Sequence, residues 1–321
     1  MFNPVTLAAI GLLALAAPPA TPPVPALPRM PAIPAIPPIP PIPAMPAFEA
    51  WLPTEIPASL DWELKPSGSD EAPGTVQFQL GYHTPGHSSM FSETTTLAGL
   101  DGLAAAHLAA PGQPVSFVLH RDAGDFNCKG VAGQGKGVGT CMFVPNGGFS
   151  AALARRGVAG APQPYQQFQL ALLDIGFPYL DELKRQGYAN PGLDDLMRAG
   201  THGAGLRHLK AMDAAGYRFG TVANLVKARD HGVSARYVEA LRAAGYSKLS
   251  VDDLVRLRDH GVSATYIAQL KDSGYGGLGT EDMVRLRDHG VSAGFLRSAN
   301  EGGRRLSPDE LIRMRDAGER R

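Results

Sequence analysis

Aspartate and histidine stand side by side three times in this chain, at Asp230-His231, Asp259-His260 and Asp288-His289, with a constant step of 29 residues. An imidazole beside a carboxylate can hold a metal, relay a proton or respond to pH. The surroundings of each pair point to a plainer role. Gly, Val and Ser follow in every case, as in Asp259-His260-Gly261-Val262-Ser263, and apolar residues at helical spacing come before. A histidine in the last turn of a helix can hydrogen-bond the terminal carbonyls and suits the negative end of the helix dipole. Side chains 29 residues apart would form a ladder only in a nearly untwisted stack. We therefore expect these histidines to end helices, with no metal bound. Arg229, Arg258 and Arg287 recur in the same frame, as do Asp230, Asp259 and Asp288. A solvated charged stripe is the first reading of these six residues and a binding face the second.

Other residues of catalytic type occur upstream. Tyr82-His83-Thr84-Pro85-Gly86-His87 sets two histidines four apart, the spacing that would place both on one helix face. Pro85-Gly86 makes a turn instead, and no His-Glu-x-x-His motif occurs in the chain. His120-Arg121-Asp122 with Asn127 has the spacing of a kinase catalytic loop, but the glycine-rich loop, strand lysine and Asp-Phe-Gly of a kinase are missing. A charged turn leading into a hairpin is expected there. Gly130-Val131-Ala132-Gly133-Gln134-Gly135-Lys136 matches the first seven positions of a phosphate-binding loop. Gly137 then stands where a Ser or Thr must hold Mg²⁺, and a strand follows where a helix is needed. These glycines are expected to serve a hairpin turn with positive φ. Ser88 and Ser89 lack an acid–base partner. No catalytic residue, metal site or cofactor is expected. The enzymatic alternative is a hydrolase acting through His83, His87, Asp122 and Asp125.

The chain has two cysteines. Phe126 to Val131 and Val138 to Phe143 flank the turn, and with Gln134-Gly135 as a two-residue loop Cys128 faces Cys141 and Phe126 faces Phe143 on the same side. Directly opposed Cβ atoms lie about 4.5–5.5 Å apart, near enough to consider a bridge. A Cys128–Cys141 disulfide is the favoured reading in an exported chain, and two buried thiols the alternative.

The elements that carry these residues fall into two kinds. From Trp51 to Phe149 short alternating runs lie between Gly and Pro, with strands at Asp61 to Lys65, Thr75 to Tyr82 and Val115 to His120, and a short helix or turn within Leu97 to Ala109. Further on, Gly-Tyr at Gly187-Tyr188, Gly216-Tyr217, Gly245-Tyr246 and Gly274-Tyr275 keeps the same 29-residue step. One unit reads as Ser250 capping a helix with Asp253, Gly261 ending it, Ser263 capping a second helix with Tyr266, Ile267 and Leu270, and Gly274 closing that one. Helices of about ten residues are not stable alone, so the units must stack into one core. His202-Gly203 keeps the step, residues 173–188 retain mainly the second helix, and Leu306 to Glu310 begins a last helix with Pro at its first position. The fold class is α+β: an antiparallel β domain over residues 47–149, then an all-α tandem array of two-helix repeats over 165–321.

Residues 1–17 are expected to be a signal peptide, because Val5 to Ala17 is apolar and Ala14-Leu15-Ala16 offers a cleavage site. The alternative is a membrane anchor through residues 5–17. Residues 18–46 form a Pro-rich spacer, which as polyproline II would reach about 90 Å. Net charge is zero. Residues 1–150 carry 5 Lys+Arg against 10 Asp+Glu, and the remainder 25 against 20. That surplus is too small to demand nucleic acid.

The Pro-rich spacer, the run from Phe117 to Phe126 and units such as Leu254-Val255-Arg256-Leu257-Arg258-Asp259-His260-Gly261-Val262-Ser263 resemble the extracytoplasmic C-terminal region of bacterial antirepressor-type membrane metallopeptidases similar to the β-lactam sensor. The resemblance covers residues 18–321. It carries over no catalytic residue, and Cys128 and Cys141 depart from the aromatic or polar residues expected there. It implies a sensing role. The expectation is a periplasmic or secreted, non-enzymatic interaction protein that meets an envelope protein or a cell-wall ligand. A cytoplasmic nucleic-acid-binding array is a further alternative.

Overall fold

The repeated glycines are helix stops, and the structure shows what each one does. A computed structural model describes residues 55–68, 74–84, 87–301 and 303–318, with backbone only for Thr84 and His87. The expected signal or anchor (1–17), the spacer (18–46) and the Pro85-Gly86 turn lie outside the described residues. In Asp-His-Gly-Val-Ser, Asp230 is the last helical residue and His231 the C-cap, Gly232 has φ +70°, and the Val233 N–H donates back to the Ala228 carbonyl at 2.9 Å. Gly232 N–H donates to the Arg229 carbonyl, which completes a Schellman stop. Val233 is buried, and Ser234 accepts from the Tyr237 N–H to start the next helix. Gly-Tyr is the same motif at the second helix: Gly216 has φ +84° and the Tyr217 N–H donates to Met212. Both sequence landmarks are thus one device used twice per repeat.

Six strands form one antiparallel sheet: β1 (Leu60–Pro66), β2 (Thr75–Thr84), β3 (His87–Thr96), β4 (Gln113–Leu119), β5 (Gly124–Gly133) and β6 (Lys136–Pro145), in the order β3-β2-β1-β6-β5-β4. The helix α1 (Ala105–Ala109) lies against β5. The β5–β6 hairpin has the register read from the sequence, with Cys128 opposite Cys141 and Phe126 opposite Phe143. The two cysteines form a buried disulfide. Only Gln134 (φ +54°) and Gly135 (φ +78°) make the turn. The other hairpin glycines have a different reason, which the sequence did not show. A Cβ on Gly130, Gly137 or Gly139 would lie 2.6–2.7 Å from the Trp62 indole, whose Nε1 donates to the Lys129 carbonyl at 3.0 Å. The strand is bare because Trp62 lies across it.

The sheet is rolled. Phe78 on β2 and Phe117 on β4 are four strands apart in the order, which a flat sheet would hold at about 19 Å. Their ring centroids are 5.9 Å apart, and Trp62 is 5.0 Å from Phe117. Arg121, just after β4, donates to both carboxylate oxygens of Glu93 on β3 at 2.7 and 2.8 Å. This ion pair ties the sheet's two edges together.

The helices after the sheet are α2 (Phe149–Arg155), α3 (Pro164–Leu172), α4 (Phe177–Arg185), α5 (Leu193–Thr201), α6 (Leu206–Ala214), α7 (Val222–Asp230), α8 (Ala235–Ala243), α9 (Val251–Asp259), α10 (Ala264–Leu270), α11 (Thr280–Asp288), α12 (Ala293–Ala299) and α13 (Pro308–Asp316). From α3 to α13 the odd-numbered ones pack on one another in sequence and the even-numbered ones likewise, giving two layers. α3 and α4 are a complete first repeat, 29 residues ahead of α5 and α6. Three ladders link neighbouring repeats. His202, His231, His260 and His289 pair through Nδ1 with Asp230, Asp259, Asp288 and Asp316 of the next repeat at 2.7–2.9 Å. Tyr237 and Tyr266 donate to the carbonyls of Val262 and Val291 at 2.8 and 2.9 Å. Arg258, Arg287 and Arg315 lie over the rings of Tyr237, Tyr266 and Phe295. The histidines end helices as read, but their side chains cross to the next repeat instead of capping carbonyls.

Sheet and array share one hydrophobic core, and their described residues pack as one unit. α3 makes the joint. Its Phe168 is fully buried against the rings of Tyr82, Phe126 and Phe143, while the same helix packs on α5. Tyr165 and Tyr82 share a hydroxyl–hydroxyl hydrogen bond of 2.8 Å.

Three measurements check this account. Tyr266→Phe leaves the buried Val291 carbonyl without its donor and is expected to cost about 1–3 kcal/mol in urea unfolding. His231→Ala, which breaks a half-exposed pair, is expected to cost less than about 1 kcal/mol. Reduction of Cys128–Cys141, which closes a loop of 13 residues, is expected to lower stability by about 3 kcal/mol.

Candidate functional site

Several residues of catalytic type have structural partners. Asp122 accepts from the Phe177 N–H at 2.6 Å and so caps α4. Asp125 pairs with His120 at 2.9 Å and holds that imidazole above its ordinary pKa. His83 stands exposed at the end of β2, and the His87 side chain is outside the described residues. Among the described residues no group of three or more His, Cys, Asp or Glu has metal-holding geometry. Of the charged stripe, Asp230, Asp259 and Asp288 are taken up by histidines, and Arg258 and Arg287 by tyrosine rings. Arg229 alone of the six borders the cavity described next.

That cavity is a cleft of about 780 Å³ between the sheet and the first repeats. One wall is β3, through Phe91, Ser92, Glu93 and Thr94. The other is Gly200 of α5, Gly203 and Gly205 of the α5–α6 turn, and Arg207 and His208 of α6, closed by Arg229 from α7. Asp174, at the end of α3, sits at the base, with its carboxylate 3.4 Å from Arg121 Nε.

Repeats allow the chain to be compared with itself. Position 174 is the αL stop that is Gly203, Gly232, Gly261 and Gly290 in later repeats, and Asp174 takes it with φ +53°. Position 208 is Tyr237, Tyr266 and Phe295 further on, and here it is His208. Position 200 is the place of Arg229, Arg258 and Arg287, and here it is Gly200. Asp174, Gly200 and His208 all line the cleft. The glycine is required where it stands, because a Cβ would come within 2.7 Å of Leu173. His208 Nε2 is buried without a hydrogen-bond partner, where the later tyrosines reach a carbonyl. Burial, and then the charge of Arg229, push its pKa from 6.5 down to about 4.

Of the cleft residues, only Gly203 and Arg229 were singled out by motif or spacing. The signal that could have found them is the departure of the first repeats from the array's own pattern. No family model matches the sequence, and no curated protein matches it.

His208 is neutral in the folded chain at pH 5–6, whereas the unfolded chain protonates it. Stability from this group is therefore fully present above pH 6.5 and is lost as pH falls toward 4. His208→Tyr, the array's own residue, is expected to remove that part of the acid sensitivity. It should also gain about 1 kcal/mol at pH 7 by donating to the Val233 carbonyl. Thermal melts of both forms from pH 4 to 8 check this.

Proposed function

We propose that this chain is a non-enzymatic binding protein of the bacterial envelope, periplasmic or secreted, that takes its partner or cell-wall ligand in the cleft between the β domain and the helical repeats. One observation carries the reading: the array departs from its own repeat at Asp174, Gly200 and His208, and all three line the cleft. Two of these departures act against stability. A non-glycine in the left-handed region costs about 1–2 kcal/mol, and a buried imidazole nitrogen without a partner about 1–3 kcal/mol. Stability given up at clustered positions is a pattern of binding surfaces.

The compartment is argued from chemistry. A buried disulfide between the chain's two cysteines suits an oxidising environment. No helix among the described residues is long and apolar enough to cross a membrane. The likeness of the repeat units to those of sensor-like metallopeptidases points the same way.

A photo-crosslinking residue tests the cleft directly. Placed at Thr94 or Arg207, on the two walls, it is expected to form an adduct with an envelope component in cells. At Arg313, on the last helix, it should form none. Equal labelling from all three sites, or none from the cleft, rules this reading out.

A further inference from the structure

The two edges of the rolled sheet are protected very differently. β4 carries Pro114, and Asp101 lies along its outer side, exchanging two backbone hydrogen bonds with Val118 at 2.8 and 2.9 Å. β3, the opposite edge, has ten residues and pairs with β2 alone among the described residues. Its sequence, His87-Ser88-Ser89-Met90-Phe91-Ser92-Glu93-Thr94-Thr95-Thr96, contains neither Pro nor Lys. Edge strands are ordinarily blunted by such residues or by a covering segment, because their free N–H and C=O groups are a template for another strand. The one carboxylate on β3, Glu93, is turned aside to Arg121. The edge that lacks protection is the edge that borders the cleft.

Four consecutive β3 residues, Phe91 to Thr94, line that cleft. Successive side chains point to opposite faces of a sheet, so a cavity touching all four reaches the strand's edge, and through Gln77 it also extends over β2. The facing wall carries Gly200, Gly203 and Gly205, against which Leu173, Arg229 and Ile175 are packed. The lane beside β3 is the cleft itself, and a new strand there would lie about 4.8 Å from its neighbour. The charges in the lane are unequal. Arg121 is shared by Glu93 and Asp174. Arg207 and Arg229 are in no ion pair among the described residues, so the cations outnumber the one carboxylate left over.

We infer that the cleft binds an extended acidic peptide segment, which adds to the free edge of β3 as a seventh strand and sets a carboxylate against Arg207 and Arg229. The inference deepens the proposed function and rests on the cleft being the binding site. Main-chain hydrogen bonds to alternate β3 residues hold the segment, and the two arginines select its charge.

A displayed library of random decapeptides, panned against the full chain, tests this. The selected peptides are expected to be rich in Asp and Glu and to lack Pro in their central residues. Methylating alternate backbone nitrogens of a selected peptide in one register should weaken binding at least about tenfold for each hydrogen bond removed, judged by its worth against a buried unpaired carbonyl. Methylation in the other register should leave binding nearly unchanged. Replacing the peptide's acids by Lys, or Arg207→Ala with Arg229→Ala in a protein of unaltered circular dichroism, should weaken it by about tenfold or more. Hydrogen exchange at alternate β3 amides should slow when the peptide is bound.

Peptides that crosslink at Thr94 but tolerate methylation in both registers overturn strand addition and leave the cleft as a binding site. A library that yields no binder above a scrambled background overturns the inference. The same result without crosslinking at Thr94 or Arg207 removes the proposed function too. A dimer whose β3 amides are protected without peptide would give the edge to a second copy of the chain and also overturn it.

Discussion

Phe168 has no surface open to solvent, and the rings around it belong to three strands while its own helix belongs to the array. Burying such a ring contributes about 1.5–3 kcal/mol, and here that contribution depends on both halves being in place. The Tyr82–Tyr165 hydrogen bond and the Asp122 cap on α4 add polar contacts at the same joint. The polar contacts have directional requirements that a purely apolar joint lacks, so they fix how the first repeats stand beside the sheet. The cleft is a consequence of that fixed angle. Its walls come from β3 and from the α5–α6 turn, which have no backbone pairing with each other among the described residues.

The array solves a different problem. Helices of nine residues are marginal alone, so each must be stopped sharply and leaned on the next. After α4 to α9 and α11 the Schellman stop does the first, with one glycine and one apolar residue packed into the core. The ladders do the second. The exposed His–Asp pairs contribute little individually, as surface ion pairs do. The buried tyrosine–carbonyl bonds are stronger because the carbonyl would otherwise lose water with nothing in return. Residues with the look of catalytic groups therefore serve as rungs. Their repetition follows from the repetition of the interface.

At the sheet end the same pattern is broken. Asp174 accepts a left-handed backbone, His208 stands without a partner for Nε2, and Gly200 makes room for Leu173. These three residues share the cleft although up to 34 positions separate them in sequence. The unprotected edge of β3 and the unpaired arginines converge on the same space. Three departures from the repeat are thus brought together at one place.

Much of this architecture is local and was legible in the chain. Period-two alternation marked β1, β2 and β4, and the Gln134-Gly135 loop set the register that brings Cys128 to Cys141. Serine caps and glycine stops marked the repeat, because each depends on the backbone conformation of a few adjacent residues. The Ser- and Thr-rich β3 gave no hydrophobic alternation and was not read as a strand. The sequence alone determined the elements and their order. Tertiary structure decided what the side chains between elements do: that Gly130, Gly137 and Gly139 make room for Trp62, that Arg121 ties β4 to β3, that each histidine reaches the next repeat, and that a cleft opens beside β3. Those outcomes depend on how the sheet rolls and how α3 docks. Contacts of that kind join residues 28 to 77 positions apart, and no local pattern records them.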